Sequence, residues 1–151
     1  MARTPFELKG KTVFAAGHGG MVGAALMRRL AQEDVELLTV KRSEVDLRDQ
    51  AAVNGWFGGK RPQAVFLAAA KVGGIAANDA LRGEFLYDNL MIAANVIHAA
   101  HVNGVEKLMF LGSSCIYPKL APQPPKPKPN SNSAVARISN TFPSSAIANL
   151  R

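Results

Sequence analysis

The chain has 151 residues, 48% of them hydrophobic, and a formal charge of +7. That is one domain's worth of chain with enough apolar residues for a core, which excludes disorder throughout. The longest apolar run, Ala64–Ala70, is far short of a membrane helix, and Met1–Lys11 lacks the apolar stretch of a signal peptide. A single cysteine, Cys115, excludes an internal disulfide and points to a reducing, cytoplasmic setting.

The elements alternate along the chain. Thr12–Ala16 reads as a buried strand, and Met21–Gln32 places Val22, Ala25, Leu26 and Leu30 at helical spacing. Glu36–Val40 is a second strand. Asp46 is expected to cap a helix that reaches Phe57, with Asp49 in its first turn and Gly58-Gly59 as its stop. Ala64–Ala69 is a third strand, Lys71–Asn78 a loop, Leu86–Val102 a long helix and Lys107–Leu111 a fourth strand. Strands alternating with helices imply βαβ units and a parallel sheet with helices on both faces.

Charge and composition both break late in the chain. Residues 107–151 carry six of the cations and none of the acids, while residues 1–106 are nearly neutral. All 13 glycines lie at or before Gly112, and seven of nine prolines at or after Pro118. Pro122–Pro129 is polyproline-like, so residues 122–151 are expected to form a disordered basic tail behind a nucleotide-binding part at 1–121. Its cations are widely spread, and beyond Phe110 the only aromatics are Tyr117 and Phe142. No nucleic-acid partner is therefore expected.

Between the first strand and the first helix stands Gly17-His18-Gly19-Gly20-Met21-Val22-Gly23. A G-x-x-G-x-x-G turn in that place suits a dinucleotide. Gly17 permits the turn, Gly20 lets backbone approach a pyrophosphate, Gly23 allows close packing, and the helix N-terminus offers N–H groups. The fold expected is thus an incomplete Rossmann-type, doubly wound parallel sheet of about four strands with an irregular tail. The second strand runs into Lys41 and Arg42 with no acid at its tip, whereas an NAD site usually has an acid there. A 2′-phosphate suits the fork of Arg42, which points to NADP(H); two solvated surface cations fit the bare residues too. Asp46-Leu47 lies where an adenine edge could rest. His98 and His101 have no evident third ligand, and no metal is expected.

These motifs, with Ala68-Ala69-Ala70-Lys71-Val72-Gly73-Gly74-Ile75 and Leu111-Gly112-Ser113-Ser114-Cys115-Ile116-Tyr117-Pro118-Lys119, resemble the GDP-L-fucose synthase family of extended short-chain dehydrogenase/reductases over residues 10–123. The resemblance implies an NADP(H)-dependent 3,5-epimerase/4-reductase acting on a GDP-sugar, GDP-4-keto-6-deoxy-D-mannose. Sister nucleotide-sugar epimerases and dehydratases are the alternative, as is a dinucleotide-binding fragment without catalysis. It further implies that Ser113 bonds the substrate's C4 oxygen and that Cys115 moves protons at C3 and C5, although a lone cysteine is also commonly a small buried hydrophobe. Asn89, Ala69, Leu111 and Gly112 match positions near the cofactor, and family members are homodimers. Gly19 stands where the family has arginine. The family's Y-x-x-x-K pair is absent: the only tyrosines are Tyr87 and Tyr117, followed four residues on by Met91 and Ala121. A truncated, inactive form is therefore expected.

Overall fold

The computed structural model describes residues 6–112 and the backbone of residues 147–148. Ser113, Cys115 and nearly all of the expected tail lie outside the described residues.

The first strand, β1, spans Lys11–Ala16, and its last four residues are closed from water. A glycine turn leads into α1, Met21–Leu30. This helix ends before Gln32, whose N–H bonds the Arg29 carbonyl in a tight turn. The strand β2 is Val35–Leu38 and the helix α2 is Gln50–Lys60. Two expectations about α2 need correction. Its cap is Asp49 and not Asp46: Asp49 has extended backbone and its Oδ1 accepts from the Ala52 N–H at 3.0 Å. Gly58-Gly59 does not stop it either. The buried Phe57 ties the last turn to the core, and the helix ends at Arg61, left-handed at φ 46°, because Pro62 cannot continue it.

The strand β3 is Ala64–Leu67. The loop expected at Lys71–Asn78 contains a short helix, α3, at Ile75–Ala80. It buries no residue, so it has no apolar period to betray it. The long helix α4 starts at Arg82, four residues earlier than expected, and ends at Val102. The strand β4 is Lys107–Phe110, and β5, Ile147–Ala148, pairs antiparallel with it.

The strand order is β2-β1-β3-β4-β5, with the first four strands parallel. Val13 pairs with Leu37 on one side and with Ala64 on the other. Because β2 and β3 flank β1 on opposite sides, the chain reverses its winding there. The crevice outside the C-terminal ends of β1 and β3 is thus the switch point where doubly wound sheets bind ligands. Alternation within the strands divides the core. Phe14, Val65, Leu67 and Leu108 face α2 and α4, meeting Phe57, Val96, Ala99 and Ala100. Val13 and Ala64 face the other way, against Leu30 of α1. No helix among the described residues is long and apolar enough to cross a membrane.

Candidate functional site

A cavity of about 820 Å³ opens at the switch point. Its floor is the turn Gly17–Gly23; its walls are Val40–Arg42, Val45–Arg48 and Ala68–Val72, with Asp88 and Ile92 of α4 behind. Gly17 has φ 83°, and a Cβ there would lie 2.6 Å from the Ala69 N. Only glycine allows the turn to lie so close to the end of β3. A side chain at Gly23, buried in α1, would run into the Gly17 carbonyl. Gly20, by contrast, faces open space apart from that carbonyl at 3.4 Å.

The beginning of α1 has the character of an anion site. Gly20 caps it without a side-chain acceptor, no acid stands in its first turn, and Met21 and Val22 are exposed. The first N–H groups of a helix have no partner within it and carry its positive end. Beside them, Nδ1 of His18 is enclosed and without a hydrogen-bond partner. These features fit a diphosphate laid across the turn.

Charged groups run along one wall. Lys41 and Arg42 sit past the end of β2, both exposed, and the Lys41 N–H bonds Glu44 Oε2 at 3.1 Å. Arg42 Nε stands 3.6 Å from Asp46 Oδ2. Arg48 grips the same carboxylate: Nη2 to Oδ2 at 2.6 Å, Nε to Oδ1 at 3.0 Å, and its own backbone N–H to Oδ1 at 3.0 Å. Its Nη1 reaches Asp88 Oδ1 at 3.0 Å, and Lys71 Nζ holds Asp88 Oδ2 at 2.7 Å. Asp88 is buried, a position a carboxylate tolerates only when paired. The guanidinium of Arg48 holds the Asp46 carboxyl well below its usual range, and the Lys71 ammonium, then Arg48, lower that of Asp88. Arg48 is held the more firmly as a cation by the two carboxylates.

The residues expected from sequence fall into three groups. Gly17, Gly20, Met21, Val22, Gly23, Lys41, Arg42, Asp46, Leu47 and Ala69 all line the cavity. Asn89 is not on its surface: its Oδ1 accepts the Lys71 N–H at 2.7 Å and its Nδ2 donates to the Lys71 carbonyl at 2.9 Å, so it clamps the loop after β3. Leu111 and Gly112 follow β4 and also lie off the lining; the Leu111 N–H bonds the Leu67 carbonyl at 3.1 Å. The catalytic expectations, Ser113 and Cys115, lie outside the described residues. Arg48 and Asp88 were not anticipated. A lone acid inside the apolar run of α4 is the one signal that something must reach it. Among the described residues no cluster of histidine, cysteine or acid could hold a metal.

Residues 13–143 match the family described as NAD dependent epimerase/dehydratase. The GDP-L-fucose synthase of Escherichia coli K12 is 58% identical over 113 residues, which is 74% of this chain and 35% of that protein. The GDP-L-fucose synthase of Sinorhizobium fredii is 53% identical over 119 residues, 79% of this chain and 38% of that protein. Among solved structures, the GDP-mannoheptose C4 reductase MlghC from Campylobacter jejuni with NADP bound superposes with a TM-score of 0.71. It is 40% identical, over 81% of this chain and 38% of that one. The chain spans little more than a third of the length of each of these proteins.

Proposed function

The chain belongs to the NAD dependent epimerase/dehydratase family, and we propose that it binds NADP(H) at the switch point, as the cofactor part of a nucleotide-sugar epimerase/reductase of the GDP-L-fucose synthase kind. The observation that carries this reading is the glycine turn: Gly17 and Gly23 pack where any Cβ would run into backbone, which seats the turn tightly between β3 and an uncapped, acid-free helix start. The N–H groups of Met21, Val22 and Gly23 would meet the diphosphate. Arg42, with Lys41 beside it, would take a 2′-phosphate through a charge-assisted fork. Asp46 and Leu47 would border the adenine. Ala69 would border the inner end of the cofactor, with Leu111 and Gly112 behind the lining at the end of β4, and Asn89 would act there by holding the Lys71 loop in place.

When bound, NADPH supplies the hydride. The substrate we assign is GDP-4-keto-6-deoxy-D-mannose, with Ser113 donating a hydrogen bond to its C4 oxygen. Cys115 would move the protons at C3 and C5, which the neighbouring ketone acidifies. Within these 151 residues no tyrosine is followed by lysine four positions on. Hydride delivery to C4 would therefore have no such acid to neutralise the charge developing on the oxygen, and these 151 residues by themselves are expected to bind cofactor without reducing the substrate. With its one cysteine, it is assigned to the cytoplasm.

Titration of the full chain with NADPH and NADH tests the cofactor reading. NADPH is expected to bind the more tightly, and Arg42→Ala to weaken it about tenfold while barely touching NADH. An unchanged NADPH-to-NADH ratio removes Arg42 from its assigned role. Oxidation of NADPH upon addition of the keto-sugar would sink the reading of a chain that binds without reducing.

A further inference from the structure

We propose that Arg48 is a positioning residue that sets the preference for a 2′-phosphorylated dinucleotide by keeping the Asp46 carboxylate from closing onto Arg42. This rests on the NADP(H) reading of the cavity. The geometry at the end of β2 poses the problem that Arg48 solves. Asp46 stands four residues after Arg42, and its Oδ2 lies 3.6 Å from Arg42 Nε, a loose ion pair too long for a hydrogen bond but near enough to close into one. Left to itself, an exposed arginine would tighten that pair into hydrogen bonds, and a carboxylate so placed would repel an incoming phosphate dianion.

Arg48 limits both outcomes. It occupies both Asp46 oxygens, Oδ2 from Nη2 at 2.6 Å and Oδ1 from Nε at 3.0 Å, while its backbone N–H also bonds Oδ1. The third guanidinium nitrogen is anchored on Asp88, itself buried and held on its other oxygen by Lys71. Arg48 is thus fixed at both ends before any ligand arrives, and a planar fork fixed in this way loses little further freedom. The local charges agree. Around the tip of β2, Lys41, Arg42 and Arg48 exceed Glu44 and Asp46 by one cation; without Arg48 the two signs balance. A cofactor lacking the 2′-phosphate senses little of this difference.

Two other roles for Arg48 make different predictions. A purely structural one would weaken NADPH and NADH alike. Direct contact with the phosphate would lower the NADPH-to-NADH ratio irreversibly, whereas a role through Asp46 must vanish once Asp46 is neutral. The test is therefore a titration of the full chain with NADPH and with NADH, followed by nucleotide fluorescence. The proteins are the unaltered chain, Arg42→Ala, Arg48→Leu, Asp46→Asn and the double variant Arg48→Leu/Asp46→Asn, with far-UV circular dichroism to check folding. Arg48→Leu is expected to lower the affinity ratio about tenfold, and the added Asp46→Asn to restore it to within about twofold. Should Arg48→Leu fail to fold, Arg48→Lys, which keeps the charge but loses the fork, is expected to give a smaller fall that Asp46→Asn again restores. A ratio unmoved by Arg48→Leu, or a fall that Asp46→Asn leaves in place, overturns the inference. If Arg42→Ala lowers the ratio while Arg48→Leu does not, this inference alone fails. If Arg42→Ala leaves the ratio unchanged, the assignment of Arg42 fails and takes the inference with it.

Discussion

On the face of the sheet covered by α2 and α4, eleven buried residues among those described form one cluster that includes Phe14, Phe57, Leu67, Val96 and Leu108. On the face covered by α1, three of the described residues do: Val13, Leu30 and Ala64. The same strands supply both faces by alternation, so the strands do not cause the difference. The helices do. α4 brings 21 residues, with Ala99 and Ala100 small enough for close approach, and Trp56 and Phe57 of α2 close an aromatic group over Phe14. α1 is ten residues long and buries only Gly23 and Leu30. The glycine turn thus hangs on the thinly covered face. Regions with few buried apolar contacts open most readily, so among the described residues the glycine turn adjoins the face expected to open the more readily.

Two leucines, one on each face, can break this comparison. Leu67→Ala on the thick face is expected to cost about 4 kcal/mol of unfolding free energy, because its neighbours are held in place and cannot collapse into the gap. Leu30→Ala is expected to cost about 2 kcal/mol, the low end for the same chemistry, because its surroundings can relax. Urea denaturation of the two variants measures both, and equal losses would remove the distinction between the faces. A smaller effect comes from the polar rim of the thick face. Lys71, then Arg48, keeps the Asp88 carboxyl below its ordinary value of 3.8, so its share of stability is complete above that value and is lost as pH falls through the lowered one. The urea midpoint is expected to fall below about pH 4, and Asp88→Asn to flatten that fall. Asp46, lowered by Arg48, titrates in the same direction and leaves a residual slope. The effect is small because Arg48 and Lys71 are each 35% exposed and solvent screens them. An identical acid profile in wild type and Asp88→Asn would strip Asp88 of that share.

The order of strands and helices was legible because each carries its period locally: TVFAA, AVFLAA and KLMFL as short apolar runs, and the first and last helices as apolar stripes. The glycine turn was legible because its steric demand falls on residues at fixed spacing. The helix boundaries were less so. Asp46 and Asp49 are both chemically fit to cap α2, and the backbone conformation at Asp49 decided between them. α3 escaped notice because no face of it is buried. Arg48 and Asp88 are forty residues apart, and nothing along the chain ties them together.

The sequence by itself determined the alternating architecture, the cradle at Gly17–Gly23 and the cations at Lys41 and Arg42, since each follows from the steric or hydrogen-bonding needs of neighbouring residues. Only the tertiary structure decided what those cations face. It folded Asp46 back onto Arg48, buried Asp88 beneath both Arg48 and Lys71, and turned Asn89 from the cavity toward the Lys71 backbone. The reason is physical: a charge's partner is set by distance in space and by access to water, and both are fixed only once the sheet and α4 have packed.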